Sequence, residues 1–122
     1  MQVIVNTDHN IEGHEALAAH VSDVVTKALS RISEHITRVE AHLSDENANR
    51  HGHNDKRCMI EARLEGRQPT AVTYDAATLD QAVAGAAHKL ARLIESTLDR
   101  LHDQAIHRTD PLTPELKQTN QT

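Results

Sequence analysis

The 122-residue sequence has no phenylalanine and no tryptophan, and Tyr74 is its only aromatic residue. Its core must therefore be built from valine, isoleucine, leucine and alanine. Such side chains let a helix approach a sheet closely but each buries little area, at about 25 cal/mol per Å². A single cysteine, Cys58, excludes an internal disulfide. No apolar run approaches the roughly 20 residues of a membrane-spanning helix, and the N-terminus lacks the charged-then-apolar pattern of a secretion signal. The expected compartment is the cytoplasm, with no membrane partner. Positive charge is also short: 13 Lys and Arg stand against 18 Asp and Glu. That balance argues against a general polyanion binder, because phosphate binding rests on local positive charge. Ten histidines could erase much of it on mild acidification.

Chemistry-bearing motifs are missing as well. There is no paired-carboxylate site, no glycine loop to cradle phosphate and no nucleophile elbow. An enzyme is not expected, and neither is a cofactor or a small-molecule substrate. His51-Gly-His53, with Asp55 near, has the look of a metal loop. A tight site needs three or four ligands on an ordered support, which a polar loop does not supply, so no metal is expected.

What is present is periodicity. Gln2 to Thr7 alternates around Val3 and Val5 and predicts a strand. From Gly13 to His35 a helix is predicted, with Leu17, Val21, Val24 or Val25, Ala28, Leu29 and Ile32 on one face. Arg38 to Leu43 alternates with Val39, Ala41 and Leu43 to one side, and Ser44 to Asp55 reads as a mobile hairpin loop. Arg57 to Glu65 puts Cys58, Ile60, Ala62 and Leu64 inward; Gly66 to Pro69 turns the chain, and Thr70 to Tyr74 forms a fourth strand. Cys58 and Tyr74 are both predicted core residues. The last helix opens at Thr78, whose side-chain oxygen can cap a free first-turn amide. Leu79, Val83, Ala86, Ala87, Leu90, Ile94, Leu98 and Leu101 give it one apolar stripe.

The order β-α-β-β-β-α predicts an α+β fold: a two-layer sandwich of a four-stranded sheet with two helices packed on one face. One domain over residues 1–105 is expected, followed by a disordered tail over 106–122 that holds Pro111 and Pro114.

That layout resembles the short ribosome hibernation proteins, hibernation promoting factor and ribosome-associated inhibitor A. The likeness covers roughly residues 2–103. It is carried by Asn10-Ile-Glu-Gly-His-Glu-Ala-Leu17, by Ile36-Thr-Arg-Val39, and by Ala82-Val83 followed by Lys89-Leu-Ala-Arg92. The resemblance implies binding to the small ribosomal subunit, to its 16S-type rRNA and ribosomal proteins. The place implied is the cleft between head and body where tRNA and mRNA would sit. It also implies rRNA contacts from Lys27 and Arg31 on the first helix and from Lys89, Arg92 and Arg100 on the second. Such contacts position a protein without reading base sequence. Where the family has a lysine-rich end to its last helix, this chain has Glu95-Ser-Thr-Leu-Asp-Arg100.

The charges themselves support a plainer reading beside this one. Residues 1–36 hold two bases against five acids, 37–76 six against seven, and 77–122 five against six. No segment is net basic. Lys27, Arg31, Lys89 and Arg92 could be solvated helix faces, although Lys27 and Arg31 as a like-charge i,i+4 pair would slightly disfavour a helix and so hint at binding. Arg38, Arg57, Arg63 and Arg67 could form a basic sheet patch, but Glu40, Glu61 and Glu65 alternate with them, so cross-strand ion pairing is the expectation there. A module of the same fold that binds another protein is the rival to ribosome binding. A pH-responsive protein is a third reading, resting on the histidines alone.

Overall fold

Alternating apolar residues build the strands, and three- and four-residue spacing builds the helices. The computed structural model describes residues 1–8, 11, 14–45 and 55–109. Strand β1 (Gln2–Thr7) leads to helix α1 (His14–Ala28) and a 3-10 helix (Ser30–His35). Strands β2 (Ile36–Asp45), β3 (Lys56–Leu64) and β4 (Thr70–Ala76) follow, and helix α2 (Leu79–Thr109) completes the order. The sheet runs β1-β2-β3-β4. β1 lies parallel to β2, as a helical crossover between them requires, and the other neighbours are antiparallel. Both helices lie on one face, α1 over β1 and α2 over β3 and β4, and they touch each other. The predicted two-layer α+β sandwich is the fold.

The core is small-chained throughout. Val39, Ala41 and Leu43 on β2 meet Cys58, Ile60, Ala62 and Leu64 on β3, with Val72 and Ala76 beyond them on β4. Against them α2 sets Ala82, Val83, Ala86, Ala87, Leu90, Ala91 and Ile94, while α1 sets Val21 and Val25. Leu79 and Leu98, predicted core, are only partly buried at the ends of the stripe. Thr78 does cap α2: its Oγ1 accepts a bond from the Gln81 amide at 3.1 Å. That helix continues to Thr109, past the Gln104 where its end was predicted, and residues 110–122 lie outside the described residues. So do residues 46–54 of the predicted mobile loop, with His51 and His53.

Three expectations are corrected. The predicted single first helix is two. Leu29 leaves α-helical geometry, and the chain winds more tightly through Ser30–His35. Ser33 Oγ donates to the Ser30 carbonyl at 3.1 Å, the kind of local bond with which serine competes against helix. A three-residue turn stacks Leu29 and Ile32, and both are buried, whereas Ala28 is exposed. Lys27 and Arg31 are thus not i,i+4 neighbours on one helix, and the like-charge conflict disappears.

Secondly, the register sets like charges directly across from each other on the open sheet face: Arg38 opposite Arg63 and Glu40 opposite Glu61. Compensation on β2 runs along the strand, with Arg38 bonded to Glu40 at 3.0 Å. A cross-strand pair forms between β3 and β4, where Arg57 Nε donates to Asp75 at 2.8 Å and holds that carboxyl below its usual range. Thirdly, Tyr74 is not core; it is 42% exposed. It shares its strand face with Val72 and Ala76, but β4 is an edge strand, and the ring lies against Gly85 of α2 with its other side open.

At the mouth of the β2–β3 hairpin, Lys56 lies opposite Asp45 and bonds it at 3.1 Å, with Asp55 at 3.4 Å. The Asp45 bond, foremost, raises the Lys56 ammonium above its ordinary range. Asp55, proposed above as a possible ligand, is instead buried against this lysine.

Cys58 is fully buried, and desolvation pushes its thiol up to about 12 from 9.0. Native protein at pH 8 should therefore resist thiol-exchange reagents, and labelling should appear only with denaturant. The sign of the linkage follows: above pH 9 the unfolded thiol ionises while the folded one does not, so stability should fall as pH rises from 9 toward 12. Rapid labelling of native protein would contradict the assigned β3 register.

Candidate nucleic-acid interface

The fold sorts the cations by partner. On α1, Lys27 Nζ is 3.0 Å from Asp23. Arg31 reaches across to Glu95 of α2 at 3.7 Å. On the sheet, Arg38, Lys56 and Arg57 are ion-paired as described. Lys89, Arg92, Arg100 and Arg67 are different. None has a carboxylate within ion-pairing distance among the described residues, and all four lie along the flank where α2 overhangs β4; Arg63, opposite Arg38 on the open sheet face, likewise has none.

Helical geometry produces that sorting. With 3.6 residues per turn, Asp80 and Glu95 fall on the side of α2 that faces α1, where they meet His20 at 2.9 Å and Arg31. Gly85, Lys89, Leu93 and Arg100 fall on the opposite side, toward β4. Asp75, the acid on β4 itself, is held by Arg57 on the open sheet face. Lys89 Nζ donates to the Thr73 carbonyl of β4 at 3.3 Å, which fixes the ammonium over the sheet edge. A lysine has three N–H donors, so two remain for a ligand. Arg100 is braced within its helix by Ser96 Oγ at 3.2 Å and Thr97 Oγ1 at 3.5 Å. At the far end the chain reverses through Gly66, whose φ of +69° suits glycine, and this turn brings Arg67 alongside Arg100.

Two shallow grooves result. One of about 500 Å³ is lined by Tyr74, Gly85, His88, Lys89, Arg92 and Leu93. The other, about 360 Å³, has Arg67, Gln68 and Thr70 on one wall and Thr97 and Arg100 on the other. Tyr74 lies across Gly85. A Cβ built on that glycine would be 2.6 Å from the tyrosine Cζ and closer still to Cδ2 and Cε2. Three adjacent ring carbons at nearly equal distance put the face of the ring, not its edge, on the helix. Unpaired cations around an aromatic ring suit a polyanion that carries flat bases. Among the described residues no group of three or more His, Cys, Asp or Glu is placed to hold a metal, and no helix is long and apolar enough to cross a membrane.

Of the five positions expected to contact rRNA, the structure brings Lys89, Arg92 and Arg100 onto one flank. Lys27 and Arg31 lie on the α1 side, already paired with acids. Sequence reasoning missed Tyr74, His88, Leu93 and Arg67 as members of the flank. Gly85 was the available signal: glycine inside a helix costs about 1 kcal/mol relative to alanine, and something must compensate for it.

Residues 4–102 match the sequence family described as sigma 54 modulation protein / S30EA ribosomal protein. No curated protein matches the sequence. Among solved structures, the fold is shared with the N-terminal domain of Protein Y from Thermus thermophilus, at 20% identity and a TM-score of 0.57, covering 80% of this chain and 99% of that one. It is shared too with a ribosomal subunit interface protein from Coxiella burnetii, at 14% identity and a TM-score of 0.62, covering 81% and 99%.

The Tyr74–Gly85 contact makes a stability prediction. Gly85→Ala alone should destabilise by about 1 to 3 kcal/mol, because its methyl group displaces the ring. In a Tyr74→Ala background the same change should be neutral or stabilising by up to about 1 kcal/mol, from helix propensity. Urea denaturation of the four proteins measures this cycle, and additive effects would contradict the contact.

Proposed function

Because the chain belongs to the sigma 54 modulation protein / S30EA ribosomal protein family, we propose that it is a ribosome-associated translation inhibitor. In this reading it works in the cytoplasm on the small ribosomal subunit, filling the tRNA and mRNA cleft between head and body and so silencing and storing idle ribosomes. It acts by occupancy, without catalysis or cofactor. The observation that carries this reading is the row of unmatched cations on the β4–α2 flank. Lys89, Arg92, Arg100 and Arg67 offer positive charge at fixed positions, which a folded rRNA surface can meet with phosphates.

Net charge does not stand against it. Binding responds to local potential, and several acids away from the flank are held by bases of their own: Asp23 by Lys27, Glu40 by Arg38, Asp75 by Arg57. Lys27 and Arg31 belong to the proposed contact set as a second rank. Their side chains are 76% and 87% exposed, and surface ion pairs are worth only about 0–1 kcal/mol, so an rRNA phosphate can displace the acid. A rival reading, a protein-binding module, would use the open sheet face instead, where Met59 lies opposite His42.

Sucrose-gradient sedimentation with small subunits and whole ribosomes tests the proposal. Wild type should migrate with them at low salt and dissociate as salt rises. Lys89→Glu with Arg92→Glu should abolish co-migration with the fold intact by circular dichroism. Lys27→Glu with Arg31→Glu should weaken it less. Replacing Lys89 and Arg92 by alanine should lower the slope of log K against log salt by about two. Protein that stays at the top of the gradient at low salt would contradict ribosome binding. Salt-independent binding that needs Met59 would favour the rival.

A further inference from the structure

The ring of Tyr74 has one face on Gly85, and its place on the outermost strand leaves 42% of the residue in contact with solvent. Leu93 is 40% exposed beside it. In a chain whose only aromatic side chain this is, the ring would contribute most to stability if it were buried. It is instead laid flat over a mid-helix glycine, at a cost in helix propensity of about 1 kcal/mol. Cations surround it. Lys89 is fixed over the carbonyl of Thr73, the residue next to the tyrosine, and Arg92 has no acidic partner among the described residues. A flat, one-sided aromatic platform between unpaired cations is suited to an unpaired nucleotide: the base lies on the ring and the phosphates on either side meet the cations.

We propose that Tyr74 is a stacking platform for an unpaired RNA base, with Lys89 and Arg92 holding the adjoining phosphates. The inference rests on the ribosome-binding reading and adds to it a specific claim: this flank selects single-stranded or bulged RNA over duplex, because only an unpaired base can leave its own stack to reach the ring. Arg67 and Arg100, in the neighbouring groove, extend the phosphate track along the helix. A free polyphosphate would satisfy the cations but not the ring. A partner protein could place a side chain there, but four unmatched cations favour the polyanion.

The chain supplies its own probe. With one tyrosine and no tryptophan, intrinsic fluorescence reports Tyr74 alone. Full-length protein is titrated with an eight-nucleotide oligoadenylate, the same length of RNA duplex, and inorganic polyphosphate. Saturable quenching by the single strand, with little response to duplex or polyphosphate, is the result expected. Equal responses to all three, or none, overturn the stacking claim. In parallel, the affinity of wild type, Tyr74→Phe and Tyr74→Leu for small subunits is measured. Leucine keeps an apolar cover on Gly85, so the fold should survive, and circular dichroism checks this. Phenylalanine should bind within about twofold of wild type and leucine about tenfold more weakly, the worth of one stacked base.

If Tyr74→Leu binds subunits like wild type while Lys89→Glu with Arg92→Glu fails, stacking is wrong and ribosome binding stands. If the tyrosine dependence appears with ribosomal proteins freed of rRNA, the RNA claim is overturned in favour of a protein contact. If wild type does not bind subunits at all, the ribosome reading fails, and the oligonucleotide titration then decides stacking alone.

Discussion

Everything on this molecule's surface is placed by the seating of α2 on β3 and β4 through small side chains. Ala82, Ala86, Ala87 and Ala91 line the buried side of the helix with Val83, Leu90 and Ile94, over Cys58, Ile60 and Ala62 of the sheet. Without phenylalanine or tryptophan in the layer between them, the helix can lie close to the strands, and interiors packed at crystal-like density tolerate few adjustments in such a seat. Closeness lets Lys89 reach the Thr73 carbonyl and leaves Gly85 directly under Tyr74. The same rotation of α2 that buries the alanines turns Asp80 and Glu95 toward α1 and turns Lys89 and Arg100 toward β4. A helix rotated by one residue would mix the two sets.

Charge composition therefore misrepresents this protein. The chain carries five more acids than bases, and none of its thirds is basic, yet several of the described acids sit beside bases that answer them. Ion pairs such as Lys27–Asp23 and Arg57–Asp75 cancel locally. Along the β4–α2 flank, Lys89, Arg92, Arg100 and Arg67 form a local cluster of positive charge with no carboxylate within ion-pairing distance among the described residues. A polyanion senses potential within about a Debye length, some 8–10 Å at ordinary ionic strength, so it meets the flank and not the sum. Such a protein would bind folded RNA selectively while avoiding nonspecific attachment to any phosphate chain, which a broadly basic protein cannot do.

The sequence made the architecture readable because its signals were periodic. Cys58, Ile60, Ala62 and Leu64 alone define a strand with one buried face, and Thr78 marks a helix start whose cap bond is present. Of the five positions proposed for rRNA contact, Lys89, Arg92 and Arg100 share the flank, while Lys27 and Arg31 lie on the α1 side. The misses have physical causes. The end of α1 at Ala28 depends on serine hydroxyl competition and on where Ile32 must pack, neither of which alters the three- and four-residue spacing. The opposition of Arg38 to Arg63 depends on register, which alternation within a strand does not determine. Tyr74 looked like core because its neighbours at two-residue spacing are core, and only the position of β4 at the sheet edge exposes it.

The central claim is that the β4–α2 flank, and not the open sheet, faces the ribosome. Because Cys58 is buried and its thiol unreactive, single cysteines introduced elsewhere can be read against a silent background. Alkylation rates of Leu93→Cys on the flank, Ala19→Cys on α1 and Glu61→Cys on the open sheet, with and without saturating small subunits, give the most direct measurement. The account predicts strong shielding of the cysteine at 93, partial shielding at 19 and none at 61. Shielding at 61 with an unchanged rate at 93 would contradict it.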